Sequence, residues 1–132
     1  MTLFPPAQGF GGGGSIGSGS LQPFSKDVTV LTPTTTVTVV AWRAPFACTV
    51  VKVWGYQDTG TGSVVTAERI RGGSVVSDLL VTDLTINANA FWLDGGPVQN
   101  VSFIVSDALL MKIASVSGNP NYISIQVDFS QP

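Results

Sequence analysis

Two short motifs in this sequence have residue types and spacing that could do chemistry. Gly9-Phe10-Gly11-Gly12-Gly13-Gly14 satisfies G-x-G-x-x-G, which cradles a dinucleotide pyrophosphate where a strand delivers it and a helix opens after it. Here Pro5-Pro6 precedes the run, more Gly and Ser follow, and no lysine suited to a phosphate loop accompanies it. Asp58-Thr59-Gly60 matches the D-T-G of two-aspartate peptide hydrolysis, in which adjacent carboxyls share one proton. Such a site needs an apolar strand running into the aspartate, and Gln57 stands there instead. Asp58-Thr59-Gly60-Thr61-Gly62 reads more simply as a hairpin loop whose glycines take positive φ.

The other ionisable groups narrow the chemistry further. The chain has no histidine and a single cysteine, Cys48. A Ser–His–Asp triad, a Cys–His dyad, a His-ligated zinc, a thiolate cluster and an intrachain disulfide are all excluded. Cys48 has no adjoining base or cation and is expected to be a small buried apolar residue. Besides Asp58, the carboxylates are Asp27, Glu68, Asp78, Asp83, Asp94, Asp107 and Asp128. Glycoside hydrolysis needs two of them facing across a cleft, but most lie at expected strand ends or turns. Asp58, Asp94, Asn119 and Asn121 could approach a loop cation, yet they lack the ligand spacing of a calcium loop. The expectation is no catalysis, no metal and no cofactor. Among the aromatics, Trp42, Trp54, Tyr56 and Trp92 could pack in a core or interface, or offer stacking surfaces to sugar rings. Trp54 and Tyr56 share a strand face, so Trp54, Tyr56 and Trp92 are the candidate interface or glycan residues.

The elements that must position these residues are strands. From Lys26 onward the apolar period is two: Val28 and Val30, then Val37, Val39 and Ala41, then Val51 and Val53 opposite Val50, Lys52, Trp54 and Tyr56. Further candidates are Ser63 to Arg71, Ser74 to Val76, Leu80 to Ile86, Ala90 to Leu93, Val98 to Val105, Leu109 to Val116 and Tyr122 to Phe129. Turn signals such as Gly72-Gly73, Asp94-Gly95-Gly96-Pro97 and Gly118-Asn119-Pro120-Asn121 separate them. No window holds a helical period beyond about two turns. About eight short strands in residues 25–132 predict an all-β fold, a single jelly-roll-like β-sandwich.

Residues 1–24 are different. They hold seven of the fifteen glycines between Gly9 and Ser20 and no ionisable side chain. Glycine loses the most entropy on ordering, and this segment has little apolar surface to offset that within its own chain. It is expected to be an extended arm that gains order on a partner, inserting Phe4, Phe10, Ile16, Leu21 and Phe24 as anchors.

Composition sets the surface. Charged residues make up 11% of the 132-residue chain and the net charge is −2, against about 25% charged in an average globular protein. Thirteen Thr and thirteen Ser supply polarity without charge, which makes the exterior cheap to desolvate at a permanent interface. Six scattered basic residues leave no footprint for nucleic acid. The first basic residue is Lys26, so the charged region of a signal peptide is lacking. The longest apolar runs are about four residues, against about 20 for a membrane span.

Two stretches carry a family resemblance. Ala44-Pro45-Phe46-Ala47-Cys48-Thr49-Val50-Val51-Lys52-Val53 enters a strand after a proline corner. Ser106-Asp107-Ala108-Leu109-Leu110-Met111-Lys112-Ile113, running on to Gly118, precedes Tyr122-Ile123-Ser124-Ile125-Gln126-Val127-Asp128-Phe129. This closing hairpin resembles the end of small jelly-roll modules in tailed-bacteriophage virions. Arm plus sandwich is similar in plan to their capsid decoration, or cement, proteins. The resemblance implies a homo-oligomer, a trimer, on the outer capsid surface of the virion, clamping neighbouring major capsid protein subunits without cofactor or catalysis. No single residue's role is implied. The competing function is a receptor- or glycan-binding head of a tail fibre or spike, which rests on the aromatics.

Overall fold

The computed structural model describes residues 22–132. Ten strands follow in order: β1 Gln22–Leu31, β2 Val37–Arg43, β3 Cys48–Gln57, β4 Val64–Arg71, β5 Val75–Asp78, β6 Leu84–Thr85, β7 Leu93–Asp94, β8 Ser102–Phe103, β9 Ala108–Ser115 and β10 Tyr122–Gln131. The protein is all-β, with two antiparallel five-stranded sheets. One runs β1-β10-β3-β7, with β8 also pairing β3; the other runs β2-β9-β4-β5, with β6 also pairing β4. The chain crosses between the sheets at six of its nine connections, in keeping with jelly-roll wiring.

Alternation builds the core as the sequence predicts. Ile123, Ile125, Val127 and Phe129 of β10 are buried, as are Leu109, Met111 and Ile113 of β9, Val65 and Ala67 of β4, and Val53 of β3. These side chains meet between the sheets together with Leu79, Leu80, Ile86 and Phe103. One end is closed by rings: Phe24 stacks on Phe129 at 5.1 Å, and Trp42 and Phe46 lie edge-on to Phe24 at 5.7 and 5.6 Å.

Several sequence expectations change. Strand β1 already includes Gln22, so Phe24 belongs to β1 and its ring packs against the sandwich core rather than on an arm. The other expected anchors, Phe4, Phe10, Ile16 and Leu21, lie outside the described residues, as does the Gly9–Gly14 run. In β3 a register shift opposite Asp128 and Phe129 pairs them with Lys52 and Val50 and skips Val51. This bulge buries Val50 and turns Val51 outward, so Val51 and Val53 do not share a face. Val98 to Val105 pairs as a strand only at Ser102–Phe103; around it the chain is held by single backbone bonds and by Arg69, which donates to the Asn100 and Ser102 oxygens at 3.0 and 2.8 Å. Leu80 to Ile86 shortens likewise to Leu84–Thr85, with Leu80 bridged to Val98.

Candidate functional site

The outer face of the β1-β10-β3-β7 sheet gathers the predicted aromatics. Alternation sends Lys52, Trp54 and Tyr56 of β3 outward, beside Ser124, Gln126 and Asp128 of β10. Strand β1 adds Ser25, Asp27, Thr29 and Leu31 through its register with β10, in which Leu31 faces Tyr122. Strand β7 places Asp94 against Trp54, so Trp92 falls beside Tyr56.

The rings form a row across the strands. Tyr56 and Tyr122 lie 6.0 Å apart with nearly parallel planes, and Tyr56 and Trp92 lie 5.3 Å apart at 44°. Leu31, 74% exposed, stands at the Tyr122 end, and Phe91, 66% exposed, precedes Trp92 in the chain; Trp92 and Tyr122 are 46% and 36% exposed. Tyr122 and Phe91 were not singled out from sequence. Alternation places Tyr122 outward, but only the strand order shows that β10 lies beside β3.

The polar groups next to this row are mutually satisfied. Asp128 accepts from Ser25 Oγ at 2.7 Å, Gln126 Nε2 at 2.9 Å and Trp54 Nε1 at 2.8 Å. Burial opposes its ionisation, but those three bonds prevail and hold it below the usual carboxylate range. Asp94 accepts from Lys52 Nζ at 2.6 Å and from the Gly96 amide at 2.9 Å. The Lys52 ammonium, aided by that amide, holds its carboxyl down as well. Lys52 Nζ also lies 5.2 Å from the Trp54 ring centre. Trp54 therefore has both its indole N–H and its ring engaged, and it supports the row rather than extending it. The neighbouring Tyr56 phenol pushes Tyr122 ionisation upward.

The other candidates are dispersed. Asp58 is a turn clamp, accepting from the Asn121 and Tyr122 amides at 2.8 and 3.0 Å and from Asn121 Nδ2 and Thr59 Oγ1 at 2.9 Å each. Burial raises its pKa, yet these bonds outweigh it and bring the carboxyl to about 2. Asn121 thus presents donors to Asp58, the reverse of a shared cation site, and Asp94 lies elsewhere. Gly60 and Gly118 bring this turn against the next: a Cβ on Gly60 would stand 2.1 Å from the Gly118 oxygen, and both residues take positive φ. Cys48 is buried, and burial, reinforced by the charge of Asp107, pushes its thiol up to about 11. It is chemically quiet at neutral pH. Trp42 belongs to the ring cluster at the sandwich end, with Lys26 Nζ 5.2 Å from its ring.

One carboxylate pair does meet. Glu68 of β4 faces Asp78 of β5 directly, on the outer side of the second sheet. Burial, the hydrogen bond to Asp78 and the charges of Asp78 and Asp83 raise the Glu68 pKa against the pull of Lys112. The pair sits on an open sheet face rather than across a cleft. Among the described residues no pocket is found, no three His, Cys, Asp or Glu converge as metal ligands, and no helix is long and apolar enough to cross a membrane.

No family model matches the sequence, and no curated protein matches it. A solved structure titled as the capsid asymmetric unit of cyanophage Pam1 is similar over 100% of this chain and 94% of that chain, with 19% identity and a TM-score of 0.46.

Proposed function

We propose that this chain is a virion structural protein, a capsid decoration or cement protein. In this reading it binds the outer capsid surface as a homo-oligomer, a trimer, and ties neighbouring major capsid protein subunits together. The observation that carries the reading is the spread of exposed apolar side chains over several sides of one small body. Val40 stands on the outer face of the second sheet, Val75 and Val76 on its β5 edge, Val51 at the β3 bulge, and Ile104 and Val105 on the loop after β8. A body that binds one small ligand concentrates its apolar surface in one concavity. A body wedged among neighbours needs it on several flanks, where apolar side chains cost least to desolvate at a protein contact.

Cementing follows from ordinary binding energetics. Each contact adds buried area across a joint that must be broken before the joint can open. Threefold repetition multiplies weak contacts through effective concentration. The uncharged segment 1–21 extends the reach: that length of chain spans at most roughly 70 Å when extended.

The test has two arms. Native mass measurement at micromolar concentration is expected to give a trimer; a monomer there removes the oligomer. Deleting residues 1–21 leaves β1 whole, so the truncated chain is expected to keep its unfolding midpoint while binding capsids more weakly. Co-sedimentation with particles lacking the protein reads this directly, and a full chain that fails to sediment with them overturns the reading.

A further inference from the structure

We propose that the row of Tyr122, Tyr56 and Trp92 is a binding platform for a neutral oligosaccharide. The inference is independent of the virion reading: a chain that binds capsids but no sugar would sink only this one.

The row differs from the other exposed apolar sites in being aromatic, ordered and flanked by polar atoms. Tyr56 touches both its neighbours, and the support beneath it is fixed because Trp54 is held by Asp128 and Lys52. Rings already locked in place lose little freedom on binding, which is where preorganised sites gain affinity. Sugar rings present C–H faces suited to aromatic stacking and hydroxyls suited to neutral donors and acceptors. Both are supplied here. The Tyr56 and Tyr122 phenols lie in the row, and Gln126 and the Thr29–Ser124 hydroxyl pair, 2.7 Å apart, lie one or two residue steps away. Trp92 Nε1 has no hydrogen-bond acceptor among the described residues.

Charge selects the class of sugar. Asp128, Asp94 and Asp58 around the row already accept three, two and four hydrogen bonds, so they do not demand a cationic ligand. Lys52, the cation on this face, is spent on Asp94. Asp27 stands exposed on β1 opposite Gln126. The field around the row is therefore negative, and an acidic polysaccharide or a nucleic acid would be repelled. An apolar protein surface laid over the same area would strip water from Asp27 and the phenols without replacing their hydrogen bonds. A hydroxyl-rich chain lying on the open sheet replaces them.

The experiment titrates the full chain with neutral glucan, chitin-derived, mannan and galactan oligosaccharides and with oligogalacturonate, following tryptophan fluorescence. At least one neutral series is expected to give a saturable change, with oligogalacturonate weaker. Trp92→Ala and Tyr122→Ser are each expected to weaken that binding about tenfold or more. Both side chains are part-exposed, so the unfolding midpoint should hold; Tyr122→Leu, which keeps apolar bulk and removes the ring and phenol, serves as a second probe if either variant is unstable. No saturable change with any neutral series overturns the proposal, as does binding that the substitutions leave intact. Preference for oligogalacturonate overturns it too. If the same substitutions alter only the oligomeric mass or the capsid binding, the row is a protein interface and the proposal fails.

Discussion

At the scale of single residues, the body is held by polar side chains doing the work of missing strand pairs. Arg71 donates through Nε and Nη2 to Asp107 at 3.0 and 2.7 Å, and Asp107 also accepts from the Ile104 amide at 2.8 Å. Asp107 is 2% exposed in its side chain and Arg71 37%. Arg71→Met is expected to lower stability, because it leaves the buried Asp107 carboxylate with the Ile104 amide but without its guanidinium partner. The pH dependence has a definite sign. The Arg71 hydrogen bond, opposed by burial and helped by the Ile104 amide, lowers the Asp107 pKa from its ordinary 3.8. This contribution is complete above the unfolded value and is lost as pH falls through the folded one. Urea unfolding should therefore show the variant's largest deficit at pH 7 and a smaller one at a pH well below 3.8; an equal deficit at both would remove Asp107 from the explanation. None of this partnership was legible in the sequence, since Arg71 and Asp107 look like two surface charges until the fold brings them together. Cys48 was legible, because an isolated thiol among apolar neighbours has few other places to go.

At the scale of elements, the alternation was readable and the pairing was not. Strands β9 and β10 follow the period-two pattern closely because each is flanked on both sides by other strands and buries one face completely. The short pieces β6, β7 and β8 do not, because their surroundings are tied by single backbone bonds and by Arg69, Arg71, Gln99 and Asn100 side chains, which donate to the carbonyls of Asn100, Ser102, Leu80 and Asp78, instead of by a ladder. The aromatic row was half visible: Trp54, Tyr56 and Trp92 could be named, while Tyr122 had to wait for the strand order. The Glu68–Asp78 pair is also a product of register. Its like charges face each other at neutral pH, and Asp78→Asn is expected to stabilise the fold by about 0.5 kcal/mol there. Because the Glu68 pKa is raised above 4.5 in the folded state, the repulsion is absent below that value and grows as pH rises through the folded one. Thermal unfolding at pH 7 and pH 4 reads both ends. A gain of the same size at both would show that the charge pairing is not its source.

At the scale of the whole molecule, the strand order has a consequence for how the body comes into being. The interior position of each sheet next to its outermost strand is filled by one of the last two strands, β9 between β2 and β4 and β10 between β1 and β3. A chain stopped at Asn121 is expected to lack cooperative unfolding and near-ultraviolet dichroism, whereas removal of residues 1–21 should spare both. The first four strands therefore emerge from the ribosome before their seams exist, and contacts that far apart in sequence close slowly. Until synthesis reaches the final strand, the nascent chain carries open backbone edges that can join a neighbour's, so crowded translation and early stop codons threaten yield more than any surface substitution does.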